Sequence, residues 1–272
     1  MMIKCNVHTH TTFCDGADTA EDMVLSAIAQ GCDTLGFSGH SPILRPSDGW
    51  TMTEEGKADY IKEVLRLREK YKDKIDILLG IEQDHEMPRD GYPYDFVIGS
   101  VHSVVKNGEA IDIDESFEKY SRLLREYYGG DWLALVRDYY AVEATVVDKT
   151  DCDIIGHFDL VTKYNEKHPI IDTDSLEYKN AALDSLDALI EKNRIFEINT
   201  GAISRGWRTT PYPAPFLLKR LAEKGADVMI TSDCHSKNAI LNSFDDAVEY
   251  ARACGIRRVC VYKNKSIEKI KI

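Results

Sequence analysis

The sequence predicts an α/β fold in which successive βα units surround a parallel sheet or barrel, and three observations lead there. Short runs rich in β-branched and apolar residues alternate with longer segments of helical period. Seven such units can be counted, and histidines and carboxylates recur at the ends of the short runs. At 272 residues the chain lies within the range where one α/β barrel is a single folding unit, so one domain over 1–272 is expected.

Taken in order, the first run covers 3–10 and leads to a helical segment over 19–30. Gly31 can stop that helix, because glycine tolerates the left-handed conformation of a helix C-terminus. The second unit joins a run at 34–41 to a helix over 54–71, and the third run, 76–84, is followed by a fourth at 96–103. Helices are expected over 115–128 and 133–149. The fifth unit is 154–159 with 175–192, the sixth 195–200 with 213–223, and the seventh 227–235 with 244–253, with Gly225 and Gly255 as the last two stops. A further short run lies at 257–262, and no repeat, low-complexity tract or linker interrupts the series.

Composition narrows the function. A hydrophobic fraction of 43% with 29% charged residues fits an ordinary globular protein with a sizeable core. No apolar stretch approaches the ~20 residues that cross a bilayer, and the N-terminus lacks the pattern of a secretory signal, so a cytoplasmic protein without a membrane partner is expected. Seven scattered cysteines with no C-x-x-C pair fit reduced thiols better than a disulfide framework. The net charge of −12 argues against a nucleic-acid partner, which needs clustered Lys and Arg. A small anionic substrate needs only local positive charge, which metal ions can supply.

Polar residues fall at particular places in the units. His8 and His10 end the first run, His40 the second, Glu82 the third, His102 the fourth, His157 the fifth, and Asp233 with His235 the seventh. C-terminal strand ends of a parallel barrel face one mouth, so six strands deliver metal-type ligands to one place. Residues two apart on a strand share a face, which lets His8 and His10 act together, and likewise Asp233 and His235, with Cys234 turned away into packing. An isolated H-x-H is common by chance, but six of the eight histidines and two carboxylates at strand ends favour a metal site over independent buried polar residues. The mixture of imidazole and carboxylate suits Zn, Mn or Fe rather than Ca or Mg alone. His85 and His168 are expected to be non-ligands.

The segments Val7-His8-Thr9-His10, Gly36-Phe37-Ser38-Gly39-His40-Ser41, Gly80-Ile81-Glu82, Gly99-Ser100-Val101-His102, Ile155-Gly156-His157-Phe158-Asp159 and Ser232-Asp233-Cys234-His235 resemble the ordered motifs of the polymerase and histidinol phosphatase (PHP) superfamily. They span nearly the whole chain, and its size resembles the stand-alone histidinol-phosphatase branch. The resemblance implies a distorted (β/α)7 barrel holding three divalent transition-metal ions, with the active site at the C-terminal ends of the strands. It assigns His8, His10, Glu82 and Asp233 to the first ion. It assigns His40, His235 and Asp15 to the second, and His102 and His157 to the third, with Glu82 bridging the first and third. Asp15 also reads as a turn-forming residue in Cys14-Asp15-Gly16.

The implied activity is phosphomonoester hydrolysis, with L-histidinol phosphate as the expected substrate. Three divalent ions, reduced by Glu82, Asp233, Asp15 and one hydroxide, leave roughly +2 to meet a phosphate dianion. A water bridging two ions would then attack phosphorus in line, with no protein nucleophile. Arg205, Asp233 and His235 are the expected catalytic residues. Arg205 follows the sixth strand where the family has a phosphate-contacting arginine, with Arg208 the alternative in Ser204-Arg205-Gly206-Trp207-Arg208 and Gln83 a further candidate for substrate contact. The loop 42–53, with Asp48 and Trp50, is expected to wall the pocket. Another small phosphoester, a phosphotyrosine substrate, or a metal-binding module without turnover are the competing readings.

Overall fold

The computed structural model describes residues 3–272. Its units follow in chain order: β1 (Cys5–Asn6), α1 (Ala20–Ala29), β2 (Thr34–Phe37), α2 (Glu54–Tyr71), β3 (Asp76–Asp84) and β4 (Phe96–Ser100). A hairpin of β5 (Ser103–Lys106) and β6 (Glu109–Asp112) precedes α3 (Phe117–Tyr128), α4 (Trp132–Glu143) and α5 (Val146–Thr150). Then come β7 (Ile154–Ile155), α6 (Leu176–Ile190), β8 (Ile195–Asn199), the short α7 (Gly201–Ser204), α8 (Pro215–Lys224), β9 (Val228–Thr231) and α9 (Phe244–Ala253). The chain ends in a second hairpin, β10 (Arg258–Lys263) and β11 (Ser266–Lys271).

Seven strands form one parallel sheet in the order β1-β2-β3-β4-β7-β8-β9. Beyond β1 and β9 the two edges meet: His10 N donates to the Cys234 carbonyl at 2.9 Å, and Cys234 N to that of His8 at 3.2 Å. The expected (β/α)7 barrel is thus present, and its distortion is the shortness of the ladders at β1 and β7. Those strands stop before the histidines, which stand at the rim beyond regular pairing.

Local sequence explains most helix ends. Thr19, Thr53, Ser116 and Ser175 each accept a backbone N–H as N-caps, and Pro215 opens α8 while Gly225, at φ 68°, closes it. The single helix expected over 133–149 is two. The Thr145 hydroxyl bonds the Val142 carbonyl at 2.7 Å and interrupts the run after Glu143. The run 96–103 likewise divides at Val101 and His102, where the chain leaves the barrel for the β5–β6 hairpin. Its two-residue turn, Asn107-Gly108 with φ 54° and 84°, is the Asn-Gly signal of a hairpin, which lies outside the strand-end motifs.

The N-terminal end of the barrel is filled with apolar side chains. Phe96 is fully buried between β2 and β3, where a Cβ on Gly80 would lie 2.3 Å from its ring and one on Gly36 2.8 Å away. The β10–β11 hairpin covers this floor. The Tyr262 ring packs at a tilt against Phe96 at 5.7 Å, its N–H donates to the Cys5 thiol, and its carbonyl accepts from the Thr34 hydroxyl. All seven cysteines are free thiols. Among the described residues, no helix is long and apolar enough to cross a membrane.

Candidate metal centre

β3 carries Glu82 two residues past Gly80, so its side chain shares the inward face and rises from the apolar floor into the mouth. The carboxylate is 1% exposed and faces five imidazoles. Oε2 lies 3.2 Å from His8 Nε2, 3.4 Å from His10 Nε2 and 2.9 Å from His40 Nδ1. Oε1 lies 3.4 Å from His102 Nε2 and 3.1 Å from His157 Nε2. His8 Nε2, His10 Nε2 and Glu82 Oε2 are nevertheless buried without a hydrogen bond, which is costly for polar atoms removed from water. Three convergent orphaned donor atoms of imidazole and carboxylate type fit a divalent ion.

The neighbouring carboxylates extend the cluster. Asp233 places Oδ1 3.2 Å from His10 Nε2 and 3.6 Å from His8 Nε2, completing a group with those two histidines. Asp15, His40 and His235 converge with His10 into a second group, in which His235 Nε2 lies 3.1 Å from Asp15 Oδ2. The turn of Asp15 therefore aims its carboxylate at the histidines. A third group comprises Glu82, His102 and His40, with the His157 ring 5.0 Å from that of His102. His40 thus stands between the second and third groups.

Second carboxylates hold the rings. His8 Nδ1 meets Glu197 Oε1 at 2.5 Å, and His102 Nδ1 meets Asp84 Oδ2 at 2.9 Å, which leaves Nε2 of each ring free toward the centre. Glu197 also accepts from Thr231, Asn199 and the His157 N–H. His10 has the Cys14 thiol 3.6 Å from Nδ1 instead. Sequence reasoning does not single out Glu197 and Asp84; the signal for Glu197 is a lone acid in the strand Ile195–Asn199, and for Asp84 its place two residues past Glu82.

Charge follows from this arrangement. Burial opposes the His8 cation, but Glu197, Glu82 and Asp233 outweigh it and hold its pKa well above 6.5. His10, buried and flanked by His235 and His40, falls to about 3 and stays neutral. Burial would raise Glu82, yet His40, His8 and His102 keep it well below the ordinary carboxylate range. Asp233 is held down against burial in the same way, chiefly by Arg205.

Residues 6–201 match the PHP domain, which covers five of the six strand-end motifs. The chain belongs to the PHP family. Among its relatives, a Deinococcus radiodurans protein named "Probable histidinol-phosphatase" is 31% identical over 94% of this chain and 95% of that protein. A Schizosaccharomyces pombe protein of the same name is 30% identical over 93% of this chain and 88% of its own length. The crystal structure of Lactococcus lactis histidinol phosphate phosphatase, complexed with Zn, L-histidinol and phosphate, superposes with a TM-score of 0.74 at 23% identity, covering 98% of this chain and 99% of that one. That likeness shows the shared barrel.

In this PHP chain a cavity of about 200 Å³ opens over the cluster, lined by Asp15, His40, His102, His157, Asp233 and His235 at its base. Arg205 forms one side. Its Nη2 donates to Asp233 Oδ2 and its Nη1 to the Asp233 carbonyl, both at 2.9 Å, and Nη1 lies 2.9 Å from His235 Nδ1. Trp50 forms another, its ring edge-on to His40 at 4.9 Å. Asp112, Asp114, Glu115 and Lys163 complete the rim, with Lys163 Nζ 2.6 Å from the Asp114 carbonyl oxygen. None of these four was singled out from the sequence, because only tertiary folding brings the segment 112–115 beside residue 163.

Two expected substrate contacts stand elsewhere. Arg208 is buried behind the cavity, donating to the Thr162 hydroxyl at 2.6 Å and lying over the Tyr212 ring at 4.3 Å, so it braces the loop and does not line the cavity. Gln83 points to the outer face of β3, as alternation requires, and donates to Ser41 and the Met87 carbonyl. Asp48 pairs with Lys119 away from the cavity. His168 stacks on Phe117 at 3.6 Å, and His85 is buried beside Asp84; neither joins the metal-type groups. Cys234 is fully buried, its thiol against the Thr9 hydroxyl at 3.6 Å and the His8 carbonyl.

Proposed function

We propose that this PHP chain hydrolyses L-histidinol phosphate to L-histidinol and phosphate, with three divalent transition-metal ions, Zn, Mn or Fe, at the barrel mouth. The observation that carries the reading is Glu82, whose two oxygens serve different sets of imidazoles while buried donor atoms around it lack partners. His8, His10, Glu82 and Asp233 would hold one ion, Asp15, His40 and His235 a second, and Glu82, His102 and His157 a third. When bound, such ions supply Lewis acidity, making water acidic enough to ionise near neutral pH and neutralising the phosphate oxygens.

The chain's own groups divide the remaining work. Glu197 and Asp84 fix the tautomers of His8 and His102, so that both rings present Nε2 to the centre. Arg205 holds Asp233 and offers its outer face to the cavity, where a guanidinium suits a phosphate. Asp112, Asp114 and Glu115 make the far rim acidic, matching the amine and imidazole of histidinol, and Trp50 supplies an apolar wall. Hydrolysis consumes one water and releases a primary alcohol, so the rim binds the leaving group while the cluster binds the transferred group. The names of the Deinococcus and Schizosaccharomyces relatives, and the ligands in the Lactococcus structure, support the same substrate.

The test compares kcat/KM for L-histidinol phosphate with that for p-nitrophenyl phosphate. Contacts to the amine and imidazole should favour the former by at least ~100-fold despite its poorer leaving group, since two or three polar contacts at roughly 1–1.5 kcal/mol each suffice. Both activities should vanish on chelation and return with Zn or Mn. Equal values for the two esters would leave a phosphatase of another specificity, and no hydrolysis in the metal-loaded protein would leave a metal-binding module.

A further inference from the structure

The loop between β2 and α2 carries Trp50 into the cavity wall, yet residues 41–53 contain no helix or strand. Something must hold so irregular a segment in register with the metal-type cluster. Met52 enters the core and its N–H bonds the His40 carbonyl at 3.2 Å, which anchors the end next to α2. The middle of the loop has a different fastening. Arg45 spreads its guanidinium across two carboxylates from separate elements. Nε lies 3.0 Å from both oxygens of Glu86, Nη2 lies 2.7 Å from Glu86 Oε1, and Nη1 donates to Asp112 Oδ2 at 3.1 Å. Nη2 also contacts Asp112 Oδ1.

Both carboxylates are themselves anchored. Glu86 accepts from the Ser103 hydroxyl at 2.9 Å, and its backbone N–H donates to Asp84, the residue that orients His102. Asp112 ends β6 and lines the cavity. Arg45 therefore joins the loop, the turn after β3 and the β5–β6 hairpin in one staple. Two carboxylates at one cation would repel each other without it, and a partly buried fork spanning both is worth more than an exposed pair such as Asp48–Lys119.

We propose that Arg45 is a specificity-determining positioning residue: it sets Trp50 and Asp112 at the wall that meets the part of the substrate beyond the phosphate. It touches neither the base of the cavity nor any metal-type ligand, so its loss should spare the chemistry on a small activated ester. The assignment rests on histidinol phosphate as substrate for its kinetic arm only.

The experiment uses the metal-loaded full chain and Arg45→Met, which keeps an apolar stem and removes the fork. Selectivity, as the ratio of kcat/KM for L-histidinol phosphate to that for p-nitrophenyl phosphate, should fall by at least ~10-fold, mainly through KM for the former. The value for p-nitrophenyl phosphate should stay within about 3-fold and metal content per chain should not change. Arg45→Lys, a point charge unable to bridge both carboxylates, should be intermediate.

A substrate-independent arm reads the wall itself. With Trp132 and Trp207 replaced by Phe, quenching of Trp50 by acrylamide should rise at least about twofold in Arg45→Met, as expected of a wall released to solvent. Parallel losses on both esters, or loss of metal, would overturn the role in specificity. Unchanged selectivity with unchanged quenching would overturn the staple. Should Arg45→Met not fold, Glu86→Gln takes its place in both measurements, and the same outcomes support or overturn the role. A wild-type enzyme that does not favour histidinol phosphate refutes the substrate reading, while the quenching arm still decides on Arg45.

Discussion

Gly80 and Glu82 face the same interior from the same strand, and their surroundings are opposite. Around Gly80 the barrel is packed with apolar groups so closely that the Phe96 ring leaves no room for a methyl group. Around Glu82 the barrel holds histidines and acids, several without partners. Two residues, about 7 Å along a strand, separate an end of the barrel that makes the fold from an end that spends stability on function. An apolar floor lets the strands hold a polar mouth that could not sustain a fold by itself.

Four substitutions sharpen or break this contrast, from the largest effect to the smallest. Glu82→Gln should lower kcat/KM by at least ~100-fold and remove at least one ion per chain, because an amide offers less charge to both sets of imidazoles. Mass-spectrometric metal analysis checks it, and full retention of metal with normal activity would take Glu82 out of the cluster. Arg205→Ala should cost about 10- to 1000-fold in kcat/KM, equivalent to ~1.4–4 kcal/mol. Since Arg205 also binds Asp233, the variant should release metal to a weaker chelator than the wild type does.

Gly80→Ala tests the other end. Overpacking against Phe96 should cost about 1–3 kcal/mol, seen as a Tm lower by roughly 3–10 °C, while the folded fraction keeps its metal and its kcat. A loss of metal without a change in Tm would mean that floor and mouth are not separable. The smallest effect is expected at Glu143 on α4, buried with Oε1 unpaired, where burial raises the carboxyl pKa well above its ordinary value. The unfolded chain ionises this group from about pH 4.3 upward while the folded chain resists, so its contribution is lost as pH rises toward the folded pKa. In metal-free protein, Glu143→Gln should match the wild-type Tm near pH 4 and exceed it by a few °C at pH 8. A constant offset across that range would show a packing effect instead.

How much of this could be read in the sequence differs from residue to residue. Glu82 was legible because alternation fixes its face on β3, and the histidines because parallel strands fix the end of the barrel at which they emerge; Asp233, at φ 45° beyond the end of β9, does not follow the alternation expected over 227–235. Asp15 was ambiguous in the sequence, since a turn residue gives no direction; only the fold aims it at His235. Glu197 has no periodic signature because it is a lone acid in the run Ile195–Asn199, whereas Asp84 lies two residues past Glu82 and its shared face was the available signal. Arg205 and Arg208 could not be told apart by spacing, and the short α7 decides between them by turning one toward Asp233 and the other toward Thr162. The acidic rim depends on the β5–β6 hairpin, whose Asn107-Gly108 turn is visible in the sequence but does not say which face the hairpin covers.

The sharing of Glu82 has a consequence for assembly. One negative charge divided between two sets of imidazoles cannot serve both at full strength, so filling either set changes the affinity of the other, and by thermodynamic reciprocity the effect runs equally in both directions. The carboxylates around His8 favour its protonated form, and an imidazole binds metal only through a deprotonated nitrogen, so protons and metal ions would compete for this ring. Uptake of metal by such a cluster would then be a coupled exchange of ions and protons.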